Sequence, residues 1–180
     1  KVSGAEAWAD SVFASLSDEE ALGQLFMVAA YSNKNDAHTR EIEQLIKNNG
    51  IGGVIFFQGG PVRQAQLTNR YQELSKVPLF VAMDAEWGLG MRLDSTMNFP
   101  KQMTLGAIQD NSIIYKMGVE IGKQCNRLGV HINFAPVVDI NSNANNPIIG
   151  VRSFGEDKYN VTAKAIAYMK GMQSVKVMAN

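Results

Sequence analysis

Asp84 and Glu86 stand two residues apart, with Trp87 and Gly88 directly behind them. Carboxylates accept hydrogen bonds from hydroxyls and an indole covers a C–H face, so the group suits a sugar. Farther along, Asp139 and Arg152 fall in polar stretches between apolar ones. A carboxylate offers only acceptors and a guanidinium offers a rigid fork of donors. An Asp and an Arg facing one crevice therefore read both halves of a hydroxyl pattern. Each of these residues also has a structural reading. Asp84 or Glu86 caps the next helix, Trp87 is core, Asp139 caps its own loop from a buried position, and Arg152 pairs with Glu156 or Asp157. His131, inside an apolar run, reads as a satisfied core imidazole, and His38, at a helix start, as a surface residue.

No cofactor or metal motif competes with this chemistry. Gly88-Leu89-Gly90 lacks the third glycine of a dinucleotide loop, and Pro100 follows where a helix should begin. No glycine-rich loop ends in Lys-Ser or Lys-Thr, so there is no P-loop. Cys125, His38 and His131 do not have metal-ligand spacing.

The elements that must position these side chains follow from periodicity. Leu79–Met83 is a continuous apolar run after Pro78, which suits a strand buried on both faces and leaves Asp84 at its carboxyl end. In parallel α/β folds the loops at that end gather around ligands. Further strands are predicted at Leu25–Ala30, Gly52–Phe57, Val130–Pro136 and Val175–Asn180. A short amphipathic helix is predicted within residues 1–16, on Trp8, Val12, Phe13 and Leu16. Ser17 and Glu20 form a capping box for a helix beginning near Asp18. Other helices run over Thr39–Lys47, closed by Asn48-Asn49-Gly50, from Pro61 to about Leu74, over Ser112–Leu128, stopped by Gly129, and over Tyr159–Met172. Leu89–Phe99 and Asn141–Asn146 read as loops. Strands and helices alternate, which predicts an α/β fold of βαβ units on a parallel sheet.

Composition narrows the class. The chain has 180 residues, 46% hydrophobic and 19% charged, which suits one domain. Seventeen Lys and Arg balance 17 Asp and Glu, which argues against a non-specific nucleic-acid surface or a polybasic membrane surface. The longest apolar runs are far shorter than a membrane span. One cysteine forbids an internal disulfide and fits the cytoplasm, or a bacterial periplasm or cell envelope. The polar start, Lys1-Val2-Ser3-Gly4, has no signal-peptide character and reads as a trimmed beginning.

Four blocks occur in order: Ile51-Gly52-Gly53-Val54-Ile55, Asp84-Ala85-Glu86-Trp87-Gly88, Asn133 to Asp139, and Ile149 to Asp157 with its Ile-Gly-Val-Arg-Ser-Phe core. Together they closely resemble the N-terminal barrel domain of glycoside hydrolase family 3 over about Leu16 to Asn180, and its β-N-acetylhexosaminidase branch more than its β-glucosidase branch. The resemblance implies a (β/α)8 TIM-barrel type fold, of which 1–180 is a partial domain holding the first five or so β/α units. It implies that Asp84 binds hydroxyls of the non-reducing sugar, that Arg152 lies in the same subsite, and that Asp139 supports or lines it. Arg92 matches a recurrent family arginine, and Trp87 replaces the commoner glycine.

In the family the fifth strand leads into a Lys-His-Phe-Pro-Gly-His-Gly segment carrying the acid/base histidine, and a later strand carries the aspartate nucleophile. The resemblance places both after Asn180, so that no catalytic residue falls in this chain and the chain alone is inactive. The implied parent is a retaining glycosidase removing β-linked terminal N-acetylhexosamine from a carbohydrate, without a cofactor. A β-glucosidase of the same family and a non-catalytic carbohydrate-binding module are the alternatives. An unclosed barrel exposes sheet edges, through which an oligomer would form.

Overall fold

The computed structural model describes residues 3–180; Lys1 and Val2, the start of the predicted helix over 1–16, lie outside them. Helix α1 (Gly4–Ala14) opens on a capping box of Ser3 and Glu6, and α2 (Asp18–Gly23) on the predicted box of Ser17 and Glu20. Strand β1 (Met27–Ala30) starts later than predicted, because the Phe26 N–H closes a turn on the Gly23 carbonyl and leaves Leu25 and Phe26 exposed. Next come α3 (Asp36–Asn49), ended by Gly50 in the left-handed conformation as predicted, β2 (Gly53–Phe56), and α4 (Pro61–Leu74). β3 (Phe80–Met83) leads into the predicted 89–99 loop, which contains one 3₁₀ turn, Leu89–Met91. A short helix α5 (Gln102–Gly106), absent from the sequence reading, precedes α6 (Asn111–Arg127). The chain continues through β4 (Ile132–Asn133), a 3₁₀ turn at Gly150–Arg152, α7 (Lys158–Ser174) and β5 (Met178–Ala179).

The last two strands are shorter than predicted for local reasons. After β4 the Ala135 N–H turns back to the Asn133 carbonyl, and Pro136 has no N–H to extend a ladder. Before β5, Lys176 adopts φ 67° and its N–H bonds to the Gln173 carbonyl, so the turn leaving α7 uses residues predicted as strand.

All five strands are parallel and lie in chain order, β1-β2-β3-β4-β5. Side chains alternate between the two faces. Val28, Ala30, Val54, Phe56, Val81, Met83 and Asn133 share the face packed by helices. On the other face lie Met27, Ala29, Ile55, Phe80, Ala82, Ile132 and Met178. Phe57 donates to the Ala30 carbonyl, Phe134 to that of Met83 and Asn180 to that of Asn133, so the ladder continues past the strand ends. Tyr31, Phe57, Asp84 and Phe134 thereby form a row on the second face at the carboxyl end.

Helices α6 and α7 pack closely because glycines meet backbone. A Cβ on Gly118 would lie 2.4 Å from the Tyr168 carbonyl oxygen, and one on Gly171 would lie 2.2 Å from that of Tyr115. This approach carries the fully buried Tyr168 under the loop that follows β3. No helix among the described residues is long and apolar enough to cross a membrane.

Candidate functional site

β3 delivers Asp84 to the carboxyl rim, half-buried, and the loop behind it returns Arg92 onto it. Arg92 donates from Nη2 to Asp84 Oδ2 at 2.7 Å and from Nε to the Asp84 carbonyl at 3.1 Å. The tight return depends on Gly88, whose φ is 90° and whose missing Cβ would sit 2.7 Å from the Phe99 ring. Asp84 Oδ1 and Arg92 Nη1 have no hydrogen-bond partner among the described residues.

Glu86 is 3% exposed and pairs with Arg152, which arrives from 66 residues away. Arg152 Nη2 donates to Oε1 at 2.6 Å, and Nε to Oε1 and Oε2 at 3.1 and 3.0 Å. The guanidinium's pKa is raised, first by these hydrogen bonds to Glu86, against desolvation, with further attraction from the charges of Glu86, Asp139 and Asp84. Asp84 and Asp139 are thus near enough to Arg152 for their charges to bear on it. Arg152 pairs with neither Glu156 nor Asp157. Asp157 caps α7 through the N–H groups of Tyr159 and Asn160, and Arg152 is committed to Glu86.

Other structural readings fall here. Asp139 is exposed, not buried, and its carboxylate caps nothing among the described residues; its carbonyl accepts from Ser153 Oγ at 2.6 Å. Neither Asp84 nor Glu86 caps a helix, and Trp87 is half-buried, with the Lys101 ammonium 5.1 Å from its ring centre. His38 is not a surface residue: only 12% of its side chain is exposed, and its Nε2 accepts the Tyr31 N–H. His131 is not core. It is exposed at the amino end of the sheet, although its Nδ1 is satisfied by the Val81 N–H at 3.1 Å.

The residues the sequence reading missed hold the loop from beneath. The Asn133 amide takes the Ala85 N–H at 2.8 Å and donates to the Ala85 carbonyl at 3.3 Å. Tyr168 donates to the carbonyls of Ala85 and Glu86 at 3.1 and 3.3 Å. One signal pointed to Asn133: a polar residue within an apolar strand must be bonded if it is buried. Nothing local marked Tyr168 or paired Glu86 with Arg152.

The Glycosyl hydrolase family 3 N terminal domain matches residues 17–180. The chain belongs to that family. Beta-hexosaminidase A of Pseudoalteromonas piscicida is 38% identical over 152 residues, covering 77% of this chain and 25% of that protein. A solved family 3 β-N-acetylglucosaminidase from Paenibacillus superposes with TM-score 0.81 at 32% identity, over 91% of this chain and 32% of the other. A β-glucoside phosphorylase bound to 2FGlc superposes with TM-score 0.89 at 27% identity, over 96% of this chain and 31% of the other. The family 3 chain thus spans about a quarter to a third of these relatives. Its five-stranded parallel sheet with outer helices is of the TIM-barrel type, as the sequence implied.

Proposed function

We propose that this chain supplies the hydroxyl-gripping part of the site of a retaining glycosidase that removes β-linked terminal N-acetylhexosamine. The observation that carries the reading is the convergence of Asp84, Arg92, Arg152 and Asp139 at the carboxyl rim of a parallel sheet. Asp84 Oδ1 would accept from sugar hydroxyls and Arg92 Nη1 would donate to them. The N–H groups of Arg152 not used on Glu86 would donate to a neighbouring oxygen. Asp139, exposed and with no partner for its carboxylate among the described residues, would line the pocket. The hexosaminidase relative supports the choice of sugar.

The same arrangement supports placing the bond-cleaving groups elsewhere in the protein. The carboxylates at β3 are each tied to a guanidinium, which commits them to positioning contacts rather than to an exchange of protons with substrate. We place acid/base and nucleophile after Asn180, which makes residues 1–180 part of a barrel domain and inactive alone. General acid/base catalysis is worth about a hundred- to ten-thousand-fold, which hydroxyl binding does not replace.

Hydrolysis of nitrophenyl N-acetylglucosaminide and nitrophenyl glucoside by the full-length protein tests the reading. Preference for the first is expected. Preference for the second moves the protein to the glucosidase branch, for which the phosphorylase likeness speaks. Asp84→Ala should cut kcat/KM at least about a hundredfold with folding intact, in line with loss of charged hydrogen bonds to substrate. Unchanged activity would remove Asp84 from the site.

A further inference from the structure

Arg92 has a second contact that its pairing with Asp84 does not explain. Its guanidinium carbon lies 4.8 Å from the centre of the Phe57 ring. Phe57 is the residue just past β2, on the same face and in the same row as Asp84. Behind Phe57 the Tyr31 ring stacks at 5.8 Å with planes 24° apart, and the Lys34 ammonium lies 3.8 Å from the Tyr31 ring centre. Lys34, Tyr31, Phe57 and Arg92 are thus linked by successive ring contacts, with a cation at each end of the series. Tyr31 is also held by His38, which meets its ring edge-on at 5.5 Å and accepts its backbone N–H at 3.2 Å. That use accounts for a largely buried histidine at the start of α3.

We propose that Phe57 is a positioning residue: its ring face holds the Arg92 guanidinium plane so that Nη2 meets Asp84 while Nη1 stays free for substrate, and Tyr31 holds Phe57. The physical reason lies in the two sides of Arg92. Asp84 fixes the guanidinium along one edge, Nη2 on its carboxylate and Nε on its carbonyl, but leaves the plane free to tilt about that edge. An aromatic face attracts a guanidinium through its quadrupole and favours the parallel approach, which removes that freedom. The stack spans three consecutive strand ends, so β1 and β2 contribute to a site whose hydroxyl-binding groups come from the loops after β3 and β4. The substrate role of Arg92 rests on the sugar-binding reading above; its positioning by Phe57 does not.

The test uses the full-length protein carrying Phe57→Leu, Phe57→Tyr or Tyr31→Leu. Leucine keeps apolar bulk without the ring face, and tyrosine keeps the face. For Phe57→Leu, KM for nitrophenyl N-acetylglucosaminide should rise on the order of tenfold with kcat nearly kept, the pattern of lost uniform binding. Phe57→Tyr should restore the parent KM, and Tyr31→Leu should give a smaller rise of about two- to threefold. A residue that merely supported the fold would instead lower active protein at constant KM, and that result would overturn the proposal. Crystal structures of the same variants decide independently of turnover. A guanidinium plane turned from its parent orientation in Phe57→Leu, with Nη1 displaced, supports it, and an unmoved Arg92 overturns it. If the parent hydrolyses neither glycoside, the functional reading fails while the crystal structures still decide the role of Phe57. If Phe57→Leu does not fold, Tyr31→Leu carries both measurements.

Discussion

At the carboxyl end of the sheet, successive loops are tied to one another by polar groups; at the amino end Lys76 ties to the Ser15 carbonyl and Glu20, and beside that tie a largely apolar cleft stays open to solvent. The loop after β1 is joined to the loop after β2 by the Ser32 N–H on the Gln58 carbonyl, and Arg63 bridges the Ser32 carbonyl to Asp94 in the loop after β3. Asp94 in turn donates its N–H to Gly59. Glu86 and Arg152 join the loops after β3 and β4, and the Gln102 amide exchanges two hydrogen bonds with the backbone of Val137. At the other end, α1 buries no residue, and Trp8, Phe13 and Phe80 are 59%, 70% and 52% exposed. They line a cleft of about 560 Å3 together with Leu16, Pro78 and His131.

The difference shows where directional bonds are needed. A surface that recognises hydroxyls must hold its donors and acceptors in register, and only bonds with fixed geometry do that. Apolar contacts are nearly indifferent to orientation, and they serve where an end needs only to be covered.

Breaking the carboxyl end should have the largest effect. Glu86→Ala leaves Arg152 without its partner; removing one member of a buried pair costs several kcal/mol, reduced here because Arg152 is about a third exposed. About 2 kcal/mol is expected in urea denaturation, with a marked rise in KM. Retained stability and KM together would make the Glu86–Arg152 pair incidental. Tyr168→Phe removes one hydroxyl that serves the Ala85 and Glu86 carbonyls and should cost about 1 kcal/mol by the same measurement. The Asn133 amide still reaches Ala85, so a loss as large as that of Glu86→Ala would show that Tyr168 alone holds the loop.

The amino end should respond weakly, and to pH. Partial desolvation lowers the His131 pKa from its ordinary 6.5, and its Nδ1 accepts the Val81 N–H only while that nitrogen is unprotonated. The contribution of His131 to stability is thus complete above about pH 6.5 and is lost as pH falls through the lowered folded value. The urea midpoint of the parent should decline over that range, and His131→Asn should decline less. An equal slope would assign the pH dependence to other groups. The smallest effect is expected for Trp8→Ser with Phe13→Ser, within about 0.5 kcal/mol, because both side chains are already in water. A loss above that would mean that α1 stabilises the sheet despite its exposure.

Much of the fold was legible because its signals are local. The Ser17–Glu20 capping box, the left-handed Gly50 and the apolar run before Asp84 each act within a few residues. Helix α5 was missed because five residues give too short a period to read. The truncated β4 and β5 depended on how Ala135 and Lys176 turned. The histidines misled in opposite ways, since burial depends on which end of the sheet a residue reaches and what packs there. His38 went under Tyr31, and His131 faced an open end.

The sequence by itself determined the alternation of strands and helices, the family, and the residue types gathered after β3 and β4, because periodicity, capping and motif order are written in neighbouring residues. Only the tertiary structure decided that Glu86, and not Glu156 or Asp157, holds Arg152, that Tyr168 and Asn133 support the loop, and that Phe57 faces Arg92. Those partners lie tens of residues apart along the chain. Strand register and the close approach of α6 to α7 at Gly118 and Gly171 bring them within bonding distance, and neither constraint is local.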